Sequence, residues 1–337
     1  MPGEFSFIEG IRKRTSPGTS GLRLGIGDDT AVFEESSGRE RLVTTDLLIE
    51  GIHFKTEYSP FKTIGHKALA VSLSDIAAMG GRPDYALLSL GIPKGLRSDR
   101  GWEEFFDGYF DLAGRYGVAL IGGDTSGSKD ALVIDSIVIG SCPAGRAITR
   151  RGAKPGDAIF VSGRLGASAA GLNLLNRGRR LSECNDLEAE ALMAHLLPQP
   201  RVELGLRLNE VDSVTSMMDI SDGLAGDLRH ICEESQVSAV VDPRLIPVAG
   251  CLEELYDDPG IRMELALSGG EDYELLFTAP EEQEGFLKNL GAELKLEISR
   301  IGQILHISET GHRLGVWKRV EAGFDLIGFK GYDHFLP

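Results

Sequence analysis

The sequence predicts an α/β protein built from two domains, and three observations predict it. At 337 residues the chain is long for a single core and comfortable for two. From Gly21 onward, apolar and β-branched stretches alternate with stretches of helical spacing. Around Pro143–Asp157, PAGRAITRRGAKPGD, the composition shifts to Gly, Pro and basic residues, which sets the boundary between a domain of residues 1–143 and one of residues 144–337.

Bulk properties narrow the function. With 42% hydrophobic and 26% charged residues the chain folds rather than staying disordered. A net charge of −16 argues against a nucleic-acid binder, which gains affinity by neutralising phosphates with Lys and Arg. Acidic chains still bind phosphorylated ligands through metal ions. No run approaches the ~18 apolar residues of a membrane span, and MPGEFSFIEGIRKR lacks the apolar core of a secretory signal. A cytoplasmic protein that engages neither membrane nor nucleic acid is expected. Cys142, Cys184, Cys232 and Cys251 are far apart, so they are expected to be reduced packing residues.

Taken in order, Gly21–Phe33, GLRLGIGDDTAVF, is strand, glycine turn with Asp28 and Asp29, then strand. Arg41–Phe54, RLVTTDLLIEGIHF, is a strand of the buried kind. Its two-residue period puts Thr44 and Asp46 on one face and Thr45 on the other, with His53 at the end. Ala68–Pro83, ALAVSLSDIAAMGGRP, is a helix apolar on nearly every side, stopped by Gly80-Gly81 and Pro83. Asp75 sits inside it, at a cost of several kcal/mol unless donors or a cation offset the lost hydration. Ser72 or Ser74 sharing its charge, or a later helix start capped by Asp75, are the local alternatives.

Tyr85–Ile92 is a strand, and Trp102–Tyr116 a helix whose aromatic stripe is core. Val118–Ser126, VALIGGDTS, is an apolar strand followed by a Gly-Gly turn carrying Asp124. Ala131–Cys142 is a strand, and the basic cluster Arg146, Arg150, Arg151 is either a solvated linker or a phosphate contact. Ala158–Val161 leads through SGRLGASAAG into a helix, an N-terminus suited to an anion or to close packing. In Val214–Ile231, VTSMMDISDGLAGDLRHI, a strand feeds a helix. Ser221 or Asp222 suffices as its cap, which leaves Asp219 unexplained. Leu267–Thr278, LSGGEDYELLFT, is a glycine turn with Glu271 and Asp272, then a strand, and helix and strand alternate to the end.

Asp29, Asp46, Asp75, Asp124, Asp219 and Asp222 thus share glycine turns, strand ends and an apolar helix. Were they to converge, their repulsion would demand divalent cations, and oxygen-only ligands indicate magnesium. There is no phosphate-loop pattern with its Lys, no G-x-G-x-x-G, no G-x-S-x-G and no EF-hand loop. A site that holds phosphates through carboxylate-bound magnesium remains.

GIGDDTAVF, TTDLLIEGIHF, KALAVSLSDIAAMGGRP, IGGDT, AITRRGAKPGD, DISDGL, SGGEDYELLFT and the closing KGYDHF, in this order along nearly the whole chain, resemble the thiamine-monophosphate kinase family. That family shares the aminoimidazole ribonucleotide synthetase-like fold. The resemblance implies an N-terminal domain that dimerises through its sheet into a β-barrel, a homodimer, and a second α/β domain completing the site. It implies transfer of the ATP γ-phosphoryl group to thiamine monophosphate. Asp29, Thr44, Thr45, Asp46, Asp75, Asp124, Asp219 and Asp222 would be magnesium ligands, some through water, with Asp75 bridging more than one ion. Gly123, Asp124, Arg150 and Ser221 would contact the nucleotide, and His53, Glu271 and Tyr332 the thiamine. Asp75, Asp124, Arg150 and Asp222 would carry the catalysis. The stretch from Leu172 to Glu210 carries none of these motifs, nor does the chain between Thr278 and KGYDHF. The nearest alternative is another ATP-dependent enzyme of this fold, acting on selenide or an amidine-forming substrate; the selenide case is disfavoured, because no cysteine precedes Cys142. A non-catalytic calcium or nucleotide sensor is the alternative of another class.

Overall fold

Strand-forming residues sort into two sheets, one from each half of the chain, in a computed structural model that describes residues 4–13, 21–35, 38–97, 100–321 and 323–328. The first half runs α1 (Glu4–Arg12), β1 (Leu22–Leu24), β2 (Ala31–Glu34), β3 (Arg39–Ile49), α2 (Phe61–Ala78), β4 (Arg82–Pro93), α3 (Gly101–Tyr116), β5 (Ala119–Ser128) and β6 (Val133–Pro143). The second begins β7 (Ala158–Ser162), α4 (Ala167–Asn176), α5 (Asp186–Leu196), α6 (Val202–Asn209), β8 (Ser216–Asp219), α7 (Leu224–Ser235) and β9 (Ser238–Val241). It continues α8 (Cys251–Leu255), α9 (Pro259–Ser268), β10 (Leu275–Ala279), α10 (Glu284–Leu294), β11 (Ile298–Leu305), β12 (Gly315–Val320) and β13 (Gly323–Leu326).

The first sheet has the order β1-β2-β3-β6-β4-β5, with only β4 and β5 parallel. The second has the order β13-β12-β9-β11-β7-β10-β8, with only β9 and β12 parallel. Within one chain the first sheet is open and ends in the exposed strand β5, so it does not itself close the expected barrel. The Gly-Gly turn expected before Asp124 is absent: β5 runs straight through Gly122, Gly123 and Asp124. The pair marks instead a register shift against β4, where a Cβ on Gly123 would lie 1.8 Å from the Leu88 carbonyl oxygen.

Helix α2 lies between the two halves. Its small residues suit this place: Ala68, Leu69, Ala70, Leu73, Ile76 and Ala77 are buried on every side of the helix. One face packs on β3 and β6, others on α3, α6 and β8. A single core therefore runs from Leu42 and Val138 through Ile64, Leu69 and Leu73 to Phe160, Met217 and Phe277 of the second sheet. Alternate residues of that second sheet, Ile159, Val161, Met218 and Leu276, face the other way onto α7. At β7, β8 and β10 both faces are covered, which explains the uninterrupted buried runs of those strands. Among the described residues, no helix is long and apolar enough to cross a membrane.

Close approach of α2 and α3 depends on two glycines. A Cβ on Gly65 would meet the Phe105 carbonyl oxygen at 1.9 Å, and one on Gly108 would meet that of Lys62 at 1.9 Å. Gly108→Ala gains up to ~1 kcal/mol of helix propensity but forces two backbones apart, an overpacking cost of about 1–3 kcal/mol. A net lowering of the urea midpoint is expected; an unchanged or raised midpoint would show that the helices are not interlocked here.

Candidate active site

Where α2 crosses from one sheet to the other, carboxylates from separate segments meet. Asp29 comes from the β1–β2 turn, Asp75 from α2 and Asp219 from the end of β8. Each offers an oxygen within 4.8 Å of the others. Asp75 lies near the helix's C-terminal end, so the capping alternative does not hold. Nor do the helix serines serve Asp75. Ser72 Oγ donates to Asp46 Oδ2 at 2.7 Å and Ser74 Oγ to Asp219 Oδ2 at 2.6 Å, while Asp75 accepts from Thr44 Oγ1. Two hydroxyls within one turn of α2 thus tie it to both domains.

Arg150 is the nest's cation. Its Nε donates to Asp29 Oδ1 at 3.1 Å, its Nη2 donates to the same oxygen, and its backbone N–H lies 3.2 Å from Asp28 Oδ2. Asp29 Oδ2, by contrast, is buried without a hydrogen-bond partner. Burial, and then repulsion from Asp46, Asp219 and Asp29, push Asp75 well above the ordinary carboxylate range. Burial followed by Asp29 pushes Asp28 and Asp219 up to about 7, and burial against the Ser72 hydrogen bond leaves Asp46 at about 6. One guanidinium and three hydroxyls do not balance these charges. An all-oxygen donor set with an orphaned buried oxygen fits a hard dication such as magnesium.

Not every expected residue reaches the nest. Thr45 faces the other side of β3, as its strand period requires, and its Oγ1 donates to Asp135 Oδ1 at 2.6 Å. Gly123 and Asp124 lie on exposed β5, and Asp124 stands opposite Ser89 and outside the compact group. Ser221 and Asp222 are half-buried in the loop before α7, whose N-cap is Gly223 with no side-chain bond, so neither caps the helix. Tyr332 lies outside the described residues. The α4 N-terminus, an anion site by its sequence, is filled from within: Gly166 N–H donates to Asp272 Oδ2 at 2.8 Å and Ser168 N–H to Oδ1 at 3.4 Å.

Glu271 and His53 converge on a second spot. His53 Nδ1 accepts from Ile49 N–H at 2.9 Å, and its carbonyl accepts from Lys67 Nζ at 3.2 Å. Lys67 Nζ in turn lies 2.6 Å from Glu271 Oε1. Sequence reading missed Lys67 and His195 here. It also missed Asp227, buried in the first turn of α7 and accepting from Asp222 N–H at 3.2 Å. Asp227 carried a signal, a carboxylate on an apolar face next to DISDGL; His195 carried none, lying in a motif-free stretch.

A family model for the AIR synthase related protein, N-terminal domain, matches residues 27–142, and one for the C-terminal domain matches residues 154–312. The chain is a two-domain AIR synthase-related protein. It is 38% identical to the thiamine-monophosphate kinase of Bacillus subtilis, over 98% of this chain and 99% of that one. It is 38% identical to that of Escherichia coli, over 99% and 98%. The crystal structure of the Stenotrophomonas maltophilia thiamine-monophosphate kinase superposes with a TM-score of 0.77 at 40% identity, over 95% and 98%. A structure described as AaThiL complexed with AMPPCP and TMP gives 0.82 at 34%, over 99% and 97%. This chain belongs to the thiamine-monophosphate kinase family, a family of kinases.

A carboxyl whose folded value stands above its free value stabilises the fold most below the free value and loses that contribution as pH rises through the folded one. For Asp46, Asp28 and Asp219 the loss falls between the free value of about 4 and folded values of about 6 to about 7. Thermal melts in chelator should therefore fall across this window, and the gain in Tm from magnesium should be larger at about pH 7.5 than at about pH 5.5. An equal magnesium gain at both would mean that these carboxylates do not bind it.

Proposed function

We propose that this chain transfers the γ-phosphoryl group of ATP to the phosphate of thiamine monophosphate, giving thiamine diphosphate and ADP, as the last step of thiamine diphosphate formation in the cytoplasm. The observation that supports it most is the meeting of Asp29, Asp75 and Asp219 within 4.8 Å in a buried setting. The likeness to a kinase structure holding an ATP analogue and TMP supports the same reading.

In this reading Asp29, Asp46, Asp75 and Asp219, with Thr44, Asp124 and Asp222 around them, hold magnesium. Magnesium held by these residues would supply screening of the phosphate charges, so that the two polyanions could be placed in line. Thr45 is left out of the set, because its hydroxyl is on the wrong face of β3. Arg150 holds Asp29 now and is the cation nearest the nest for transferring phosphoryl oxygens. Gly123 and Ser221 lie along the nucleotide, and His53, Glu271 and Tyr332 along the thiamine. The acceptor phosphate is ionised at neutral pH, so no side chain has to generate a nucleophile. Direct transfer without a phosphoenzyme follows, and catalysis rests on placement and charge screening.

The outer face of the first sheet supports a homodimer, with residues 1–143 closing a barrel between two copies and 144–337 completing the site. Leu47 on β3, Tyr85 on β4 and Ile121 on β5 are 52%, 42% and 56% exposed, and β5 ends the sheet among the described residues. Exposed apolar side chains and an open sheet edge call for a partner. Sedimentation velocity should show a dimer at micromolar concentration, and a monomer would contradict this part.

The function is tested with purified protein, ATP, magnesium and thiamine monophosphate. ADP and thiamine diphosphate are expected in equal amounts, with no labelled protein when the γ-phosphate is radioactive. Asp75→Asn should lose about 10²-fold or more of the turnover while its metal-free form melts no lower than the unaltered protein, since a repelled charge is removed. Near-normal turnover by Asp75→Asn at low magnesium would contradict the reading.

A further inference from the structure

Glu271 is held in a way that stability alone does not call for. Its backbone adopts φ 66° and that of Tyr273 φ 51°, a left-handed conformation that side-chain-bearing residues rarely adopt. Backbone bonds pin the loop to the DISD segment: Glu271 N–H to the Ser221 carbonyl at 2.7 Å and Tyr273 N–H to that of Ile220 at 2.8 Å. Asp272 between them caps α4.

The side chain is fixed at both oxygens. Oε1 is 2.6 Å from Lys67 Nζ of α2, and Oε2 is 3.1 Å from His195 Nδ1 of α5. His195 Nδ1 also stands 3.2 Å from Ser168 Oγ at the start of α4. Two helices therefore hold the carboxylate directly, and the third, α4, reaches it through His195. The partners are sealed while the carboxylate is not: Lys67 and His195 side chains are 4% and 3% exposed, and that of Glu271 is 24% exposed. Burial alone would raise the Glu271 carboxyl. Lys67 first, and His195 after it, outweigh burial and hold it below the ordinary range. Burial and the Lys67 charge keep the imidazole neutral, so it serves as a donor through Nδ1–H.

A buried lysine with a carboxylate on a strained loop gains little over apolar packing. It does gain a fixed acceptor. A carboxylate already confined to one rotamer gives up less freedom when a ligand binds, and its unused lone pairs keep one direction. Tyr58 is part-buried and carries the Arg180 guanidinium 5.7 Å over its ring.

We propose that Lys67 and His195 are positioning residues for substrate recognition. They hold Glu271 in one orientation, its free lone pairs directed at the amine-bearing, cationic vitamin portion of thiamine monophosphate. This rests on the reading of Glu271 as a substrate contact, and both are tested together on the full chain with magnesium. Binding of thiamine monophosphate is measured by titration calorimetry without ATP, and KM for each substrate and kcat by ADP release. Glu271→Gln, Lys67→Met and His195→Leu should each weaken thiamine monophosphate about tenfold in Kd and KM, with KM for ATP and kcat within about threefold. His195→Asn, which keeps an N–H donor for Glu271, should recover most of the loss. Unchanged affinity in Glu271→Gln overturns the reading of Glu271 and the proposal with it. A loss in Glu271→Gln without one in Lys67→Met and His195→Leu overturns the proposal alone. Should Lys67→Met not fold, the pair at His195 decides, because equal affinity in His195→Asn and His195→Leu contradicts the positioning role.

Discussion

Carboxylates brought together out of water repel one another, and in this protein that repulsion is concentrated where α2 passes between the two sheets. Asp75 alone on a buried helix would cost several kcal/mol. With Asp29 and Asp219 within 4.8 Å the cost grows, and Arg150 on Asp29 offsets only part of it. Much of the architecture reads as a way of tolerating this. The small residues of α2 and the glycine contacts Gly65 and Gly108 let the helix lie deep enough for its hydroxyls to reach both domains. Ser72 then secures Asp46 of the first domain and Ser74 secures Asp219 of the second.

The same helix links the two ends of the site. Lys67 lies on it eight positions before Asp75, at the spot where Glu271 and His53 meet. One helix thus carries both Lys67, which holds Glu271, and Asp75 of the acidic nest; in the proposed function, the distance between vitamin end and phosphate end would be set by helix geometry rather than by loops. Rigid placement would matter most in the proposed reaction, whose nucleophile needs no activation, because alignment is then the larger part of what the protein contributes.

The buried helix and the strand alternation of Thr44, Thr45 and Asp46 were legible from residue pattern, and the six acidic residues raised a convergence that the structure shows for Asp29, Asp75 and Asp219. Each places a charge where packing forbids one or obeys the two-residue period. Gly122-Gly123 misled, since paired glycines serve a turn and a bulge inside a strand equally, and only the pairing of β5 with β4 separates them. The glycine-rich start of α4 misled in the same way: its N–H groups do take an anion, but the anion is Asp272, more than a hundred residues on. Lys67 and His195 were invisible because each is ordinary in its own helix. Their meaning comes from Glu271, which tertiary folding brings between them.

The central claim is that the nest exists to hold dications. Diffraction at the manganese absorption edge, from crystals grown with manganese and a non-hydrolysable ATP analogue, tests it most directly. Anomalous peaks are expected among the carboxylates of Asp29, Asp75 and Asp219. Nucleotide bound in full with no peak between those side chains would contradict it.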